Sequence, residues 1–357
     1  MSKLNEAKES VGELIITGFT GLDLSDESSA FLTQAKIGGV ILFSKNFENP
    51  AQLAELVNSL QQGAPKTLPR WIAVDQEGGR TQRFKAPFTK IPAAISVGRT
   101  DSPKLTFELS EMVARELAAS GINLNLAPVA DIAGAAGFLL ERSFGSSEDL
   151  VSKMVTAWVR GHLLGGVSPC AKHFPGHGAT TQDSHDHLPR VGTARADLLS
   201  NELRPFIKAM KSKCPFIMPA HVIYESIDAE FPATLSSKVL RDLLRTELRF
   251  NHLVISDDLE MKAITLSFKA NEVPFLALKA GCDLLLYKTE PAARSAWQAL
   301  QKALDDGLLS PDLVIETAAR IQDAKREQLL PYKRVDLAEI SKKVGVQSHE
   351  ELAQKFV

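Results

Sequence analysis

Eight short apolar runs, separated by longer amphipathic stretches, place the tightest limit on what this chain can fold into. The runs span 12–18, 39–43, 71–74, 124–128, 168–172, 216–220, 253–256 and 283–287. All have the length of strands rather than helices. Between them, 50–61 repeats Leu53, Leu56, Val57 and Leu60 at helical spacing, and 103–120 does the same with Leu105, Leu109, Val113 and Leu117. Further helices are predicted over 28–35, 147–164, 195–211, 237–248, 271–280, 292–305 and 311–327, with Ser146 or Ser147 as an N-cap and Gly281 as a C-cap. Strands alternating with helices imply parallel pairing through right-handed crossovers. Eight such units predict an α/β fold, a closed (β/α)8 TIM barrel formed by residues 1–330 as a single domain. A doubly wound open sheet would want a G-x-G-x-x-G turn after the first strand, and Gly18-Phe19-Thr20-Gly21 does not supply it. The charged stretch 331–357 is expected to form a surface helix or a frayed tail.

Composition narrows the class of partner. An apolar content of 44% with 24% charged residues suits a globular chain with a sizeable core. A net charge of -2 and the lack of a Lys/Arg run argue against nucleic acid as a partner. No run approaches the roughly 20 apolar residues needed to span a membrane. The first nine residues mix Lys and Glu and do not resemble a signal peptide. Cys170, Cys214 and Cys282 are odd in number, widely spaced and set beside apolar runs, so they read as reduced core residues of a cytoplasmic protein.

Polar residues cluster where the apolar runs end. The third run is followed by Asp75-Gln76-Glu77-Gly78-Gly79-Arg80 and Arg83, the fourth by Asp131 and Glu141-Arg142-Ser143-Phe144-Gly145. The fifth runs into Lys172-His173-Phe174-Pro175-Gly176-His177-Gly178 and on to Asp183-Ser184-His185, the sixth ends in His221, and the seventh in Asp257-Asp258-Leu259-Glu260-Met261. In a parallel barrel these ends converge on one rim, the usual place of an active site. Pro175 and Gly176 stop any regular element, so the His-rich segment is a loop aimed by a strand. Neighbours on a strand point to opposite faces, so Asp257 and Asp258 do not both face one ligand, and the pattern alone does not choose between them.

These strings resemble the signature segments of glycoside hydrolase family 3, in matching order from about residue 12 to 321. The likeness is strongest to its single-domain bacterial β-N-acetylglucosaminidases of cell-wall recycling, with the Asp183-Ser184-His185 loop as the specific mark. Two departures stand out: Ala179, where many relatives carry an acid, and the tail beyond Leu330, which has no counterpart. The resemblance implies a retaining exo-β-N-acetylglucosaminidase acting on amino-sugar oligosaccharides or muropeptides by double displacement. It implies Asp257 as nucleophile. It implies His185 as general acid/base with Asp183 holding its tautomer. It implies Asp75, Arg83, Arg142, Lys172 and His173 at the terminal sugar, where a carboxylate accepts from hydroxyls and cations donate to them. An imidazole suits the acid/base role because its unperturbed pKa of about 6.5 needs no large shift.

Competing readings keep the same residues. Asp75 and Arg142 could form a buried ion pair that shapes loops, with Glu77 and Arg80 as buttresses. Asp257-Asp258 could cap a helix, and Asp183 and His185 could be solvated. His173, His177 and His185 could hold zinc as in a metal-dependent amidohydrolase. His-x-x-x-His suits a helix, and the intervening Phe-Pro-Gly forbids one, so no metal and no cofactor are expected. A β-glucosidase or broad hexosaminidase of the same family is the next alternative, although the Asp183-Ser184-His185 loop marks the N-acetylglucosaminidase branch, and a non-catalytic sugar-binding protein is the last.

Overall fold

The computed structural model describes residues 2–134, 139–178, 180 and 187–356. Each predicted run yields a strand: β1 (Ile15–Thr17), β2 (Gly39–Leu42), β3 (Trp71–Val74), β4 (Leu124–Asn125), β5 (Ser168–Phe174), β6 (Phe216–Pro219), β7 (Leu253–Val254) and β8 (Leu285–Tyr287). They form one eight-stranded sheet in the order β7-β6-β5-β4-β3-β2-β1-β8, with every neighbouring pair parallel. At the two ends of that order a parallel bridge links Ile255 to Leu284, and Ser256 N donates to Leu284 O at 2.8 Å. The fold is TIM-barrel-like and forms a single domain around one hydrophobic core. Trp71 at the start of β3 and Phe216 at the start of β6 meet edge to face at 4.9 Å. Side chains therefore fill the space that the sheet curves around.

The helices begin and end where local chemistry dictates. Asn49 and Ser102 cap Pro50–Gln62 and Pro103–Ala119, accepting from Gln52 N and Leu105 N, and each helix opens on proline. Gly281 closes Val273–Ala280 at φ 124°, a conformation open to glycine. Ser147 holds the N-cap position of Glu148–Gly165 but makes no side-chain capping bond. The predicted helix over 195–211 breaks into Arg195–Asp197, a π-helical turn at Leu198–Glu202, and Arg204–Lys211. Pro205 lacks the N–H that would continue the ladder, and Leu203 N reaches back to Leu198 O at 2.9 Å instead. The first predicted run is shortened to β1 because Val11–Leu14 forms a 3-10 turn. There Gly12 lies so close to Ala35 that a Cβ would sit 1.6 Å from the Ala35 carbonyl oxygen.

The C-terminal segment packs against the rest of the barrel-like domain. A 3-10 turn at Leu337–Lys342 and a helix at Gln347–Gln354 bury Ile340, Val344, Ala353 and Phe356. Val335 exchanges two hydrogen bonds with Asn58, at 3.0 and 3.2 Å, which pins the segment to the helix Pro50–Gln62. Among the described residues, no helix is long and apolar enough to cross a membrane.

Candidate active site

The C-terminal ends of β3 to β7 bring most of the predicted residues together. Lys172, at the end of β5 and nearly fully buried, lies 2.8 Å from Asp75 Oδ1 and 2.6 Å from Glu77 Oε1. Arg142 grips Glu77 with two parallel bonds of 2.9 and 2.8 Å, and Arg83 reaches Asp75 at 3.4 Å. Two carboxylates and three cations thus form one network. Burial would push the Glu77 carboxyl up, but Arg142 and Lys172 hold it well below the usual carboxylate range. The reverse applies to Arg142 and Lys172: burial opposes their charge, and Glu77 and Asp75 restore it. A direct ion pair between Asp75 and Arg142 is not formed. Arg142 pairs with Glu77, and Asp75 takes Lys172 and Arg83, which leaves Asp75 more open to solvent than Glu77.

Lys172 and His173 are adjacent on one strand, and alternation would send them to opposite faces. The pairing of β5 with β6 resolves this. Lys172 pairs with Met218 and Phe174 with Pro219, so the register slips by one residue at His173. A bulge of this kind re-aims a side chain. His173 Nδ1 lies 2.7 Å from Asp131 Oδ2, and Asp131 Oδ1 accepts from His173 N at 3.1 Å and His177 N at 2.7 Å. Burial would raise Asp131, but the His173 ring and the His177 N–H keep it low and ionised. An ionised carboxylate only accepts, so His173 carries its hydrogen on Nδ1. Its Nε2 makes no hydrogen bond among the described residues. Thr180 fixes His177 likewise: its hydroxyl donates to His177 O at 2.9 Å and therefore accepts from Nδ1 at 2.8 Å. Burial and His173 hold His177 neutral, with its pKa lowered to about 4.

Asp257 and Asp258 follow β7 and differ sharply. Burial would raise Asp257, but His221, His173, the Asp258 N–H and Lys172 together bring it down to about 2. Its Oδ1 accepts from Asp258 N at 2.8 Å. Asp258 is pushed up to about 7, by burial and by the charges of Asp257 and Glu260. Its Oδ1 accepts from Glu260 N at 3.0 Å and Lys288 N at 3.3 Å, tying the turn to the end of β8. His221 Nε2 lies 3.0 Å from Asp258 O. A carbonyl only accepts, so that nitrogen carries a hydrogen. Asp258 thus braces a turn, much as a capping residue would, while Asp257 is an ionised carboxylate in the field of Lys172 and His173.

Asp183 and His185 lie outside the described residues. In the sequence, Asp131 is marked only as a polar residue after the fourth run. Its three donors make it the anchor of His173, and no local spacing signals that. Glu77 does more than buttress a loop; it is the shared partner of Arg142 and Lys172. Among the described residues, no group of three or more His, Cys, Asp or Glu is arranged to hold a metal ion.

Residues 7–324 match the Glycosyl hydrolase family 3 N terminal domain. A Beta-hexosaminidase of Alkalilimnicola ehrlichii is 38% identical over 286 residues, covering 78% of this chain and 81% of that protein. A glycoside hydrolase family 3 beta-N-acetylglucosaminidase from Paenibacillus sp. FPU-7 superposes with a TM-score of 0.92 at 35% identity, over 98% of this chain and 68% of that one. NagZ from Neisseria gonorrhoeae, solved with N-trifluoroacetyl-D-glucosamine, superposes with a TM-score of 0.78 at 27% identity, over 96% of each chain. Zn-bound CbsA from Thermotoga neapolitana does so with a TM-score of 0.85 at 29% identity, over 94% of this chain and 71% of that one.

Proposed function

We propose, for a chain that belongs to glycosyl hydrolase family 3 and is a glycoside hydrolase of the β-N-acetylhexosaminidase type, a retaining, exo-acting mechanism on terminal N-acetylglucosamine. The observation that carries this reading is the place of Asp257. It follows β7 on the sheet end that holds Lys172 and His173, its Oδ1 accepts from Asp258 N at 2.8 Å, and against burial His221, His173 and Lys172 keep its carboxyl below the usual range. Such a group can attack an anomeric carbon and hold a covalent glycosyl ester. Asp75, Arg83, Arg142, Lys172 and His173 bind the hydroxyls of the terminal sugar. Lys172 and Arg83 hold the Asp75 carboxylate so that it accepts from hydroxyls without turning away. His173 presents Nε2 to the sugar, because Asp131 holds the ring through Nδ1.

His185 protonates the leaving oxygen and then activates water, with Asp183 orienting it. The eight strands close into a full barrel, a reading supported by the bridge between Ile255 and Leu284. The substrates are amino-sugar fragments of peptidoglycan in the cytoplasm, acted on without nucleic acid or membrane as partner. The mechanism needs no metal. Because the structural neighbour CbsA is zinc-bound, activity is to be measured in EDTA with and without added zinc, and loss on chelation restored by zinc would favour the amidohydrolase reading.

The deciding experiment traps the intermediate. A 2-fluoro glycoside, followed by digestion and peptide mapping, is expected to label Asp257. A label on another carboxylate, or an unchanged yield of label in Asp257→Ala, overturns the assignment. His185→Ala is expected to slow substrates with poor leaving groups far more than activated aryl ones, and equal losses on both remove His185 from the acid role. Parallel rates on aryl N-acetylglucosaminide, N-acetylgalactosaminide and glucoside separate this reading from a β-glucosidase or a broad hexosaminidase.

A further inference from the structure

The C-terminal segment has no part in the mechanism above, yet one buried carboxylate connects it to the sugar-binding loop. Glu116 lies on the helix Pro103–Ala119 and receives four hydrogen bonds from two directions. From the loop after β3, Thr89 donates its N–H to Oε2 at 3.0 Å and its hydroxyl to Oε1 at 2.6 Å. From the C-terminal segment, Gly345 N donates to Oε1 at 3.0 Å, and His349 Nδ1 lies 2.8 Å from the same oxygen. Gly345 has φ 63°, and a Cβ there would lie 1.8 Å from Pro87 O, so the segment is pressed onto that loop at a point only glycine fits.

The chain of bonds continues to the site. Gln82 Nε2 donates to Thr89 O at 3.0 Å and to Phe84 O at 2.9 Å, while its Oε1 accepts from Ile91 N at 2.9 Å. Gln76 Nε2 donates to the same Phe84 carbonyl at 3.0 Å, and Gln76 Oε1 accepts from Arg83 N at 2.9 Å and Phe84 N at 3.1 Å. Arg83 then reaches Asp75. Buried amides in series like these hold a loop in one place, because displacing any one leaves a polar group unpaired. Next to this line, a cleft of about 810 Å³ is lined by Thr89 to Ala93 of the loop, by the helix Ala94–Arg99 and by the helix Gln347–Gln354. The segment is held by its buried apolar side chains and by the polar contacts at Glu116 and Gly345.

We propose that Glu116 is a positioning residue through which the C-terminal segment sets the placement of Arg83 and Asp75. This rests on the reading that Asp75 and Arg83 bind the terminal sugar. Glu116 touches no substrate and acts through Thr89, Gln82 and Gln76.

The test uses the full chain and 4-nitrophenyl N-acetyl-β-glucosaminide. Thr89→Val and His349→Ala each remove one donor and leave the backbone in place. Each is expected to raise KM about fivefold with kcat within about twofold, since a misplaced binding group loses ground-state and transition-state contact alike. Thr89→Ser, which keeps the hydroxyl, is expected to restore the wild-type KM. Asp75→Asn is measured alongside. A raised KM in Asp75→Asn with wild-type KM in both Thr89→Val and His349→Ala overturns this proposal alone. An unchanged KM in Asp75→Asn overturns the sugar-binding reading beneath it. A fall in melting temperature without change in KM makes the contact merely structural and likewise overturns the proposal.

Discussion

Both ends of the sheet carry buried ion pairs, and they are built for different purposes. At the N-terminal end, Asp283 accepts from Arg245 at 2.6 Å, Arg320 at 2.8 Å and Val254 N at 2.7 Å. Both of its oxygens are occupied, and the pairs pin β8 to β7 and to the helix Pro311–Leu329. At the C-terminal end, charges are held in place with some of their capacity left over. Asp75 has Lys172 and Arg83 behind it, His173 presents Nε2, and Asp257 is ionised and accepts from a backbone N–H. A site that must take up a ligand keeps its polar groups oriented but not saturated, whereas a structural pair satisfies them all.

The largest expected effect lies at the open end. Asp257→Asn is expected to lower kcat by about 10^3-fold or more, since it removes the proposed nucleophile while keeping its shape. Steady-state rates and circular dichroism on one preparation check this, and a loss under tenfold would put the chemistry elsewhere. Lys172→Met comes next. It removes the cation shared by Asp75 and Glu77, and kcat/KM is expected to fall about 100-fold, together with a lower melting temperature because Arg83 and Arg142 alone are left to balance the two carboxylates. At the closed end, Asp283→Asn is expected to cost about 2 kcal/mol in a urea titration, less than for a fully buried pair because Arg245 and Arg320 are partly solvated. Activity per folded molecule stays at the wild-type level, and a fall in kcat would erase the contrast between the two ends.

The smallest effect sharpens the contrast within the rim. Asp258 sits near 7 in the folded protein, above the 3.8 of an unperturbed aspartate. The folded state therefore holds that proton more tightly than the unfolded chain. Its contribution to stability is present below about pH 4 and is lost as the pH rises through 7. Asn at this position keeps the oxygen that accepts from Glu260 N and Lys288 N and cannot ionise. Asp258→Asn is thus expected to gain on the order of 1 kcal/mol at pH 8 and nothing at pH 4, after allowing for solvent screening. Asp257 behaves oppositely. It stays ionised down to about 2, so any acidic limb of kcat/KM above that belongs to another group.

The element pattern is legible because it is local. A run such as Trp71 to Val74, buried at every position, needs only its own composition to announce a strand. The reach of β5 to Phe174 is less so, because the bulge at His173 depends on what β6 offers opposite it. The break at Leu198–Glu202 has a visible cause in Pro205, although the helical spacing around it masks the signal. At the candidate site, strand-end polarity points to the rim where Asp75, Lys172 and His173 meet, but nothing local marks Asp131 and Glu77 as central. Their importance comes from partners far along the chain.

The sequence by itself determined the period of alternation, the positions where charge meets the end of an apolar run, and a family signature. Those properties belong to a few neighbouring residues and survive without knowledge of the fold. Only the tertiary structure decided that Arg142 takes Glu77 while Lys172 is shared with Asp75. It alone separated Asp257 from Asp258 by surroundings, and it alone bound the C-terminal segment to Glu116. Ion pairing and pKa depend on distance and burial in three dimensions, and residues tens to hundreds of positions apart carry no mark in the chain of which neighbour each will meet.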